Sequence, residues 1–177
     1  ALKAYKKKDV EKTFRLCTLA RGYTLADQLG AGIEVDSLKN AQPGQEDTII
    51  FGTKNWTCLE HKGNVVTLAS LPQKIKDGLH TYDKKSNVWS KSHLRHWLNK
   101  TYLETVFTKS EKTLLQKTNH DPSGKKLDYI YLLSDEEYLQ YTNQLKDVSA
   151  FWLRTGGVSS KTMSYVNQSG DINRDAS

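Results

Sequence analysis

The chain has few of the residues that build disulfide scaffolds, zinc modules or membrane spans. Its 177 residues include two cysteines, three prolines and one methionine. Two cysteines are too few for a disulfide framework, and a structural zinc site normally takes four ligands. No stretch approaches the roughly 18 apolar residues that a membrane span needs. We therefore expect membrane contact only through a segment that is not present in this chain.

The motifs of common enzyme classes are also missing. The chain has no Gly-x-Ser-x-Gly, no glycine-rich phosphate loop and no Cys-x-x-Cys. His93 and His96 have a spacing that can put two imidazoles on one helix face, but no third metal ligand is near in sequence. Glu136 and Glu137 fall in the first turn of a predicted helix, where carboxylates offset the helix dipole. We expect no enzymatic activity, no metal and no other cofactor.

Composition and charge indicate a folded chain with a basic beginning. Apolar residues make up 37% and aromatic residues 10% of the sequence, enough for a real core. The net charge is +6, and residues 1–21 carry seven basic and two acidic side chains, a balance of +5. A solvated or membrane-proximal helix end explains this charge, and nucleic-acid binding is disfavoured.

The first 47 residues are predicted to precede the main domain. Val10, Phe14 and Cys17 recur at helical spacing, which predicts an amphipathic helix that ends at the Gly-Ala-Gly of residues 30–32. Residues 33–47 contain Pro43-Gly44 and read as a connector. The predicted division is therefore an N-terminal helix over 1–32, a connector over 33–47 and a head domain over 48–177.

The head domain shows alternating strand and helix signals. Ser90 is a candidate helix N-cap, and Thr108 with Glu111 and Ser134 with Glu137 have the spacing of capping boxes. Apolar runs predict strands at 48–52, 56–60, 65–69, 129–133 and around Trp152. The predicted fold class is α+β, with a long N-terminal amphipathic helix followed by an antiparallel-sheet head with inserted short helices.

Three stretches of the head carry a family resemblance. They are VWSKSHLRHWLN at 88–99, YLLSDEE at 131–137 and WLRTG at 152–156. In this order they resemble an uncharacterised bacterial domain family of Firmicutes surface and prophage proteins, with a Trp-Leu-Arg-Ser-Pro-Gly hallmark. The match covers about residues 46–177. Thr155-Gly156 replaces the family's Ser-Pro, and the family's closing Gly-Val-Arg-Pro-Ala strand is missing.

That resemblance implies a distantly C-type lectin-like head with its binding surface after the last conserved strand, at residues 157–177. The sequence lacks the Glu-Pro-Asn and Trp-Asn-Asp motifs of calcium-dependent lectins, so calcium-dependent sugar binding is not expected. Residues 1–29 are also similar to the soluble half of the N-terminal helix of type IV pilins. This second resemblance implies that other pilin-like subunits are partners through that helix.

The candidate residues fall into four groups. The candidate ligand-binding residues are Tyr165, Asn167, Gln168, Asn173 and Arg174, and the candidate assembly face is Val10, Phe14 and Cys17. The candidate structural residues are Trp152 and Trp97, which are expected in the core, and Arg154, which is expected to pair with a carboxylate. Cys17 and Cys58 are either a disulfide or two buried free thiols.

The functional hypothesis is a non-enzymatic, extracellular subunit of a bacterial cell surface, pilin-like and structural or adhesive. The alternative is a free-standing or phage-borne lectin-like module that binds a host or surface protein or glycan. Nucleic-acid binding through the basic N-terminus is a third and less favoured function.

Overall fold

The computed structural model of the chain describes residues 38–44, 49–70, 86–121, 124–145 and 150–176. These residues divide into two compact units. Of the described residues, the first unit contains 38–44, 49–70 and 104–115, and the second contains 86–103, 116–121, 124–145 and 150–176.

The described strands form three antiparallel sheets. In chain order they are β1 (Ile49–Phe51), β2 (Lys54–Lys62), β3 (Val65–Ala69), β4 (Thr118–Asn119), β5 (Leu127–Asp128), β6 (Phe151–Gly156), β7 (Met163–Val166) and β8 (Ile172–Ala176). The sheets are β1-β2-β3, β4-β5 and β6-β7-β8, so every pairing joins strands that follow each other along the chain.

The described helices are short, and one helical stretch is longer than the rest. They are α1 (His93–Trp97), α2 (Leu103–Val106), α3 (Lys109–Lys112) and α4 (Asp135–Gln140). A π-helical turn, Leu98–Tyr102, joins α1 to α2, so the helical stretch from His93 to Val106 has 14 residues. A single 3₁₀ turn, Trp89–Lys91, precedes it.

Both predicted capping boxes are confirmed. Thr108 Oγ1 accepts from the amide of Glu111 at the start of α3, and Glu111 Oε2 accepts from the amide of Thr108. Ser134 and Glu137 make the same reciprocal pair at the start of α4. The predicted cap at Ser90 is wrong. Ser90 lies inside the 3₁₀ turn, and Ser92 caps α1 by accepting from the amide of Arg95 at 3.1 Å.

The first unit has an aromatic core. Phe51, at the end of β1, packs against Phe107 with ring centroids 4.8 Å apart, and Trp56 stacks on the same ring at 6.1 Å. The indole of Trp56 donates to the Phe51 carbonyl at 2.7 Å. Because all three rings are almost fully buried, they fix β1 and β2 against residues 106–107.

The second unit has two apolar clusters, one on each face of the β6-β7-β8 sheet. Met163 packs with Trp89, Leu94 and Leu98 in the first cluster. Tyr138, Leu153 and Val166 form the centre of the second, against α4. Ser164 and Val166 alternate with Met163 along β7, so this strand supplies buried side chains to both faces.

The predicted strand over 129–133 is wrong. The backbone N–H and C=O groups of this segment form hydrogen bonds largely with side chains and not with a neighbouring strand. Asn99 Oδ1 accepts from the amides of Tyr129 at 2.7 Å and Ile130 at 3.2 Å, and its Nδ2 donates to the Ile130 carbonyl at 2.7 Å. The Arg154 guanidinium donates to the Leu132 carbonyl, and the Arg154 amide donates to the Leu133 carbonyl. The pairing strand β5 lies just before this segment.

The predicted fold class is also wrong. The described residues are α+β, but their strands divide among three separate sheets, and their longest helix is the interior 14-residue stretch. The expected lectin-like head behind a long helix is not the arrangement seen. Strands of two to nine residues pair only with neighbours in sequence and form separate local sheets. The predicted helix over 1–32 lies outside the described residues.

Two turn glycines of the first unit allow a matched test. Gly52 has a φ of +68°, and a Cβ there would lie 2.7 Å from the Val106 carbonyl oxygen and 2.8 Å from the Phe107 ring. Gly63 has a φ of +59° with nothing within 4 Å of such a Cβ. We expect Gly63→Ala to cost about 1 kcal/mol from backbone strain alone, and Gly52→Ala about 2 kcal/mol more from the clash.

Urea unfolding followed by circular dichroism measures both costs in the full chain. Equal shifts of the midpoint for the two variants would contradict the close packing of residues 106–107 on the β1-β2 turn.

Candidate ligand-binding face

Three side chains form a row across the β6-β7-β8 sheet. Trp152 on β6 pairs directly with Tyr165 on β7, and Tyr165 pairs directly with Asn173 on β8. Residues directly opposite each other in an antiparallel sheet share a face. The indole and phenol rings have centroids 6.4 Å apart and are tilted by 56°. We call Trp152, Tyr165 and Asn173 the aromatic row.

The row lies on the sheet face opposite Leu153, the face that also carries the buried Met163, and its own side chains are only partly covered. Leu153 is fully buried with Tyr138 and Val166, and Phe151 packs against the same cluster. Side chains alternate along a strand, so Trp152 lies on the other face. Its side chain is 42% exposed, and Tyr165 and Asn173 are partly exposed. The result is a pair of accessible rings beside a neutral amide.

Arg154 holds this strand through its backbone and its guanidinium. Its amide donates to the Leu133 carbonyl at 2.8 Å, and Nη1 donates to the Leu132 carbonyl at 2.7 Å. Nη2 donates to Glu137 Oε1 at 2.7 Å and Nη1 donates to Oε2, which makes a two-pronged pair. The strand is therefore tied to the segment before α4 and to the first turn of α4.

His120 and Tyr131 complete what we call the Arg154 cluster, with Arg154 and Glu137. The His120 ring packs on the Tyr131 ring at a centroid distance of 3.6 Å, and the guanidinium lies 5.6 Å from the same phenol. His120 Nδ1 is 3.9 Å from Glu137 Oε1. The cluster thus joins β6, α4 and the chain next to β4.

The surroundings shift the pKa values of three of these groups. Burial and the Arg154 charge lower the pKa of His120, although Glu137 and Asp128 oppose them. Burial raises the pKa of the Tyr131 hydroxyl. For Glu137, burial acts to raise the pKa, but the hydrogen bonds from Arg154 and from the Ser134 amide outweigh it and the pKa is lowered. A charged carboxylate and a neutral imidazole are the favoured forms.

Two further arginine–carboxylate pairs lie in the same unit. Asp128 is fully buried, with Oδ1 2.6 Å from Arg95 Nη2 and Oδ2 accepting from the Trp89 indole at 2.9 Å. Asp135 Oδ2 accepts from Arg174 Nε at 2.9 Å and from Ser164 Oγ at 3.3 Å. These carboxylates neutralise arginines that fix loops and strands.

The five predicted ligand-binding residues do not lie together. Tyr165 and Asn173 are neighbours in the aromatic row. Arg174 points to the opposite face, where it pairs with Asp135. Asn167 and Gln168 lie in the turn between β7 and β8, and Asn167 Oδ1 accepts from the amides of Ser169 and Asp171 at 2.8 and 2.9 Å. Asn167 thus shapes the turn, and Gln168 is exposed at its tip.

The candidate structural residues take different positions. Trp97 is partly buried beside the Met163 cluster, and its ring lies 5.0 Å from that of Tyr102. Arg154 has its expected carboxylate partner in Glu137. Trp152, which the sequence reading assigned to the core, is exposed instead. The alternation of Phe151, Trp152 and Leu153 was the signal for this, since three consecutive apolar side chains of one strand cannot share a face.

The cysteine and assembly predictions are only partly covered by the structure. Cys58 is fully buried, and burial raises the pKa of its thiol. Cys17 lies outside the described residues, as do Val10 and Phe14, so the disulfide and the assembly face stay predictions.

The described residues contain neither a metal-ligand cluster nor a helix that could span a membrane. His93 and His96 are both exposed on α1. Within the described ranges, no group of three or more histidine, cysteine, aspartate or glutamate side chains is placed to hold a metal ion. No helix in those ranges combines the length and apolar character that crossing a bilayer requires.

Comparison of the chain with protein-family models, with curated proteins and with solved structures finds no match. The resemblances to the bacterial surface family and to type IV pilins therefore stay predictions.

The lowered pKa of His120 gives a pH test of the Arg154 cluster. Between the unfolded value of about 6.5 and the lower folded value, the unfolded chain binds a proton that the folded chain does not. Stability should therefore fall as the pH drops below about 6.5. We expect His120→Gln to remove this loss, and His96→Gln, at an exposed position, to keep it.

Urea midpoints measured from pH 7.5 to 5 check this expectation. Parallel pH curves for the native chain and His120→Gln would contradict the placement of His120 against Arg154.

Proposed function

We propose that the chain is a non-enzymatic structural or adhesive subunit of a bacterial cell surface, and that it binds its partner through the β6-β7-β8 sheet. The observation that supports this most is the aromatic row, since exposed rings on a rigid sheet supply contact area at a small entropic cost. The charged groups near the row support a non-catalytic role, because they are already used for structure.

The charged groups of the Arg154 cluster are already bonded to structural partners. A catalytic acid or base needs access to a substrate and freedom to exchange a proton. The Glu137 carboxylate instead takes both guanidinium nitrogens of Arg154 and the Ser134 amide. Asp128 is wholly buried against Arg95 and Trp89. These contacts suit the work of holding segments together.

The assembly half of the proposal rests on the sequence alone. The similarity of residues 1–29 to type IV pilins, with the basic start, supports incorporation into a surface filament through Val10, Phe14 and Cys17. An extracellular location follows from the same resemblance. These residues lie outside the described ranges, so the assembly role is tested by mutation of the predicted assembly face.

A free-standing or phage-borne binding module is the second candidate. The observation that favours it is that the aromatic row is built wholly from residues 150–176. Ligand binding at this face therefore makes no use of the predicted assembly residues, and the module can act without a filament.

Phe14→Asp tests the assembly role. A carboxylate placed in an apolar subunit contact costs several kcal/mol, so we expect this variant to be absent from surface filaments sheared from cells that express the full chain. Lys39→Asp, a larger change of charge at an exposed position outside residues 1–29, should be incorporated normally. Immunoblots of sheared and whole-cell fractions measure both.

Normal incorporation of Phe14→Asp would remove the assembly role. Absence of the native chain from the cell surface would leave the binding module as the better proposal.

A further inference from the structure

We infer that the aromatic row is a glycan-binding site that takes a neutral pyranose ring, stacked on Trp152 and held at its edge by Asn173. This inference rests on the proposed adhesive function and names the ligand class for it. It differs from the sequence expectation, which placed the binding residues along the whole tail after Gly157.

The rings of the row match the apolar face of a sugar. The face of an aromatic ring carries negative charge from its π-electrons, and the C–H groups on one side of a pyranose are weakly positive. The indole of Trp152 is the larger and more exposed ring, at 42%. The phenol of Tyr165, 6.4 Å away between centroids and tilted by 56°, forms a second wall.

The polar members of the row match the hydroxyl edge of a sugar. Each sugar hydroxyl can donate and accept hydrogen bonds, so a sugar site needs both donors and acceptors. The Asn173 amide has an acceptor oxygen and two donor hydrogens, with its nitrogen 3.5 Å from the Asp171 carbonyl oxygen, and the Tyr165 hydroxyl offers one donor and one acceptor.

The charges around the row favour a neutral ligand. The row itself carries no charged side chain. Arg154 is committed to Glu137 and is only 14% exposed, and Arg174 lies on the other face against Asp135. In the part of the chain that the structure describes, a sulfated or uronic-acid glycan would therefore find no available arginine at the row.

The extent of the row favours a sugar over a protein surface. A stable protein interface buries roughly 800 Å² on each partner and uses about 20 residues or more. The apolar part of this row is two rings, bordered on β8 by Asn173. One pyranose covers a single indole, so two rings suit one or two sugar units.

The row is held in place before any ligand arrives. Its residues lie on paired strands, and the Arg154 amide and guanidinium tie β6 to residues 132–137. A site on a rigid sheet loses little conformational freedom on binding, which is the condition for useful affinity from few contacts.

The test uses the full chain on a printed array of neutral and acidic glycans, followed by titration calorimetry with the best oligosaccharide. We expect binding to a subset of neutral glycans. Trp152→Ala should weaken it at least tenfold, and Trp152→Phe, which keeps a ring, should weaken it less. Leu139→Ala removes an apolar side chain that is 62% exposed on α4 and should leave binding unchanged.

A thermal melt of each variant shows whether it is folded. If Trp152→Ala is not folded, Asn173→Ala replaces it and should also reduce affinity, since it removes the amide contacts with the sugar edge. No binding to any neutral glycan, or equal binding by the native chain and both variants, would overturn the inference. Preferred binding to acidic glycans would overturn it too.

A separate assay distinguishes this failure from failure of the proposed function. Beads coated with the chain are tested for adhesion to bacterial and host-cell surfaces, with and without excess neutral polysaccharide. Adhesion that depends on Trp152 but resists the polysaccharide would replace the glycan with a protein partner and leave the adhesive function standing. Absence of adhesion, with absence from the cell surface, would remove the function itself.

Discussion

The guanidinium of Arg154 contacts two different parts of the second unit at once, α4 and the segment before it. It donates to both oxygens of Glu137 in the first turn of α4, to the Leu132 carbonyl, and lies beside the Tyr131 ring. Hydrogen bonds to charged groups contribute about 1.5–3 kcal/mol each, more than neutral ones. Removal of either partner leaves a largely buried charge without compensation, which costs about 3–5 kcal/mol. The position of β6, and with it the exposure of Trp152, depends on this contact.

Arginine–carboxylate pairs also connect other short strands and irregular segments of the second unit. Asp128 pairs with Arg95 of α1, and Asp135 pairs with Arg174 of β8. With strands as short as two residues, the sheets supply few backbone hydrogen bonds of their own. Charged pairs and the Asn99 side chain supply the missing contacts. These acidic and basic groups therefore have structural roles, and the face that we propose for binding is aromatic and neutral.

Short-range features could be predicted from the sequence, and long-range ones could not. The Thr108 and Ser134 capping boxes were right because a cap depends on four adjacent residues. The strand predicted over 129–133 was wrong because Asn99, 30 residues away, takes its backbone donors. The fold class was wrong for the same kind of reason, since the strand pattern does not say how many sheets the strands will form.

The candidate site was predicted in part. Tyr165 and Asn173 were named from residue type, and the register of β7 and β8 makes them neighbours. Trp152 was assigned to the core because large apolar residues usually lie there. Only the pairing of β6 with β7 shows that Trp152 lies beside Tyr165, on the face opposite Leu153. Arg174 was named as a ligand contact, but it forms an ion pair with the buried carboxylate of Asp135.

The most direct test of this account is a double-mutant cycle on Arg154 and Glu137. Arg154→Met, Glu137→Gln and the double variant are unfolded in urea, and the coupling free energy is taken from the four stabilities. The account predicts a favourable coupling of about 2 kcal/mol or more, because each single change leaves the other group uncompensated. A coupling below about 0.5 kcal/mol would contradict the claim that this pair holds β6 and its aromatic row in place.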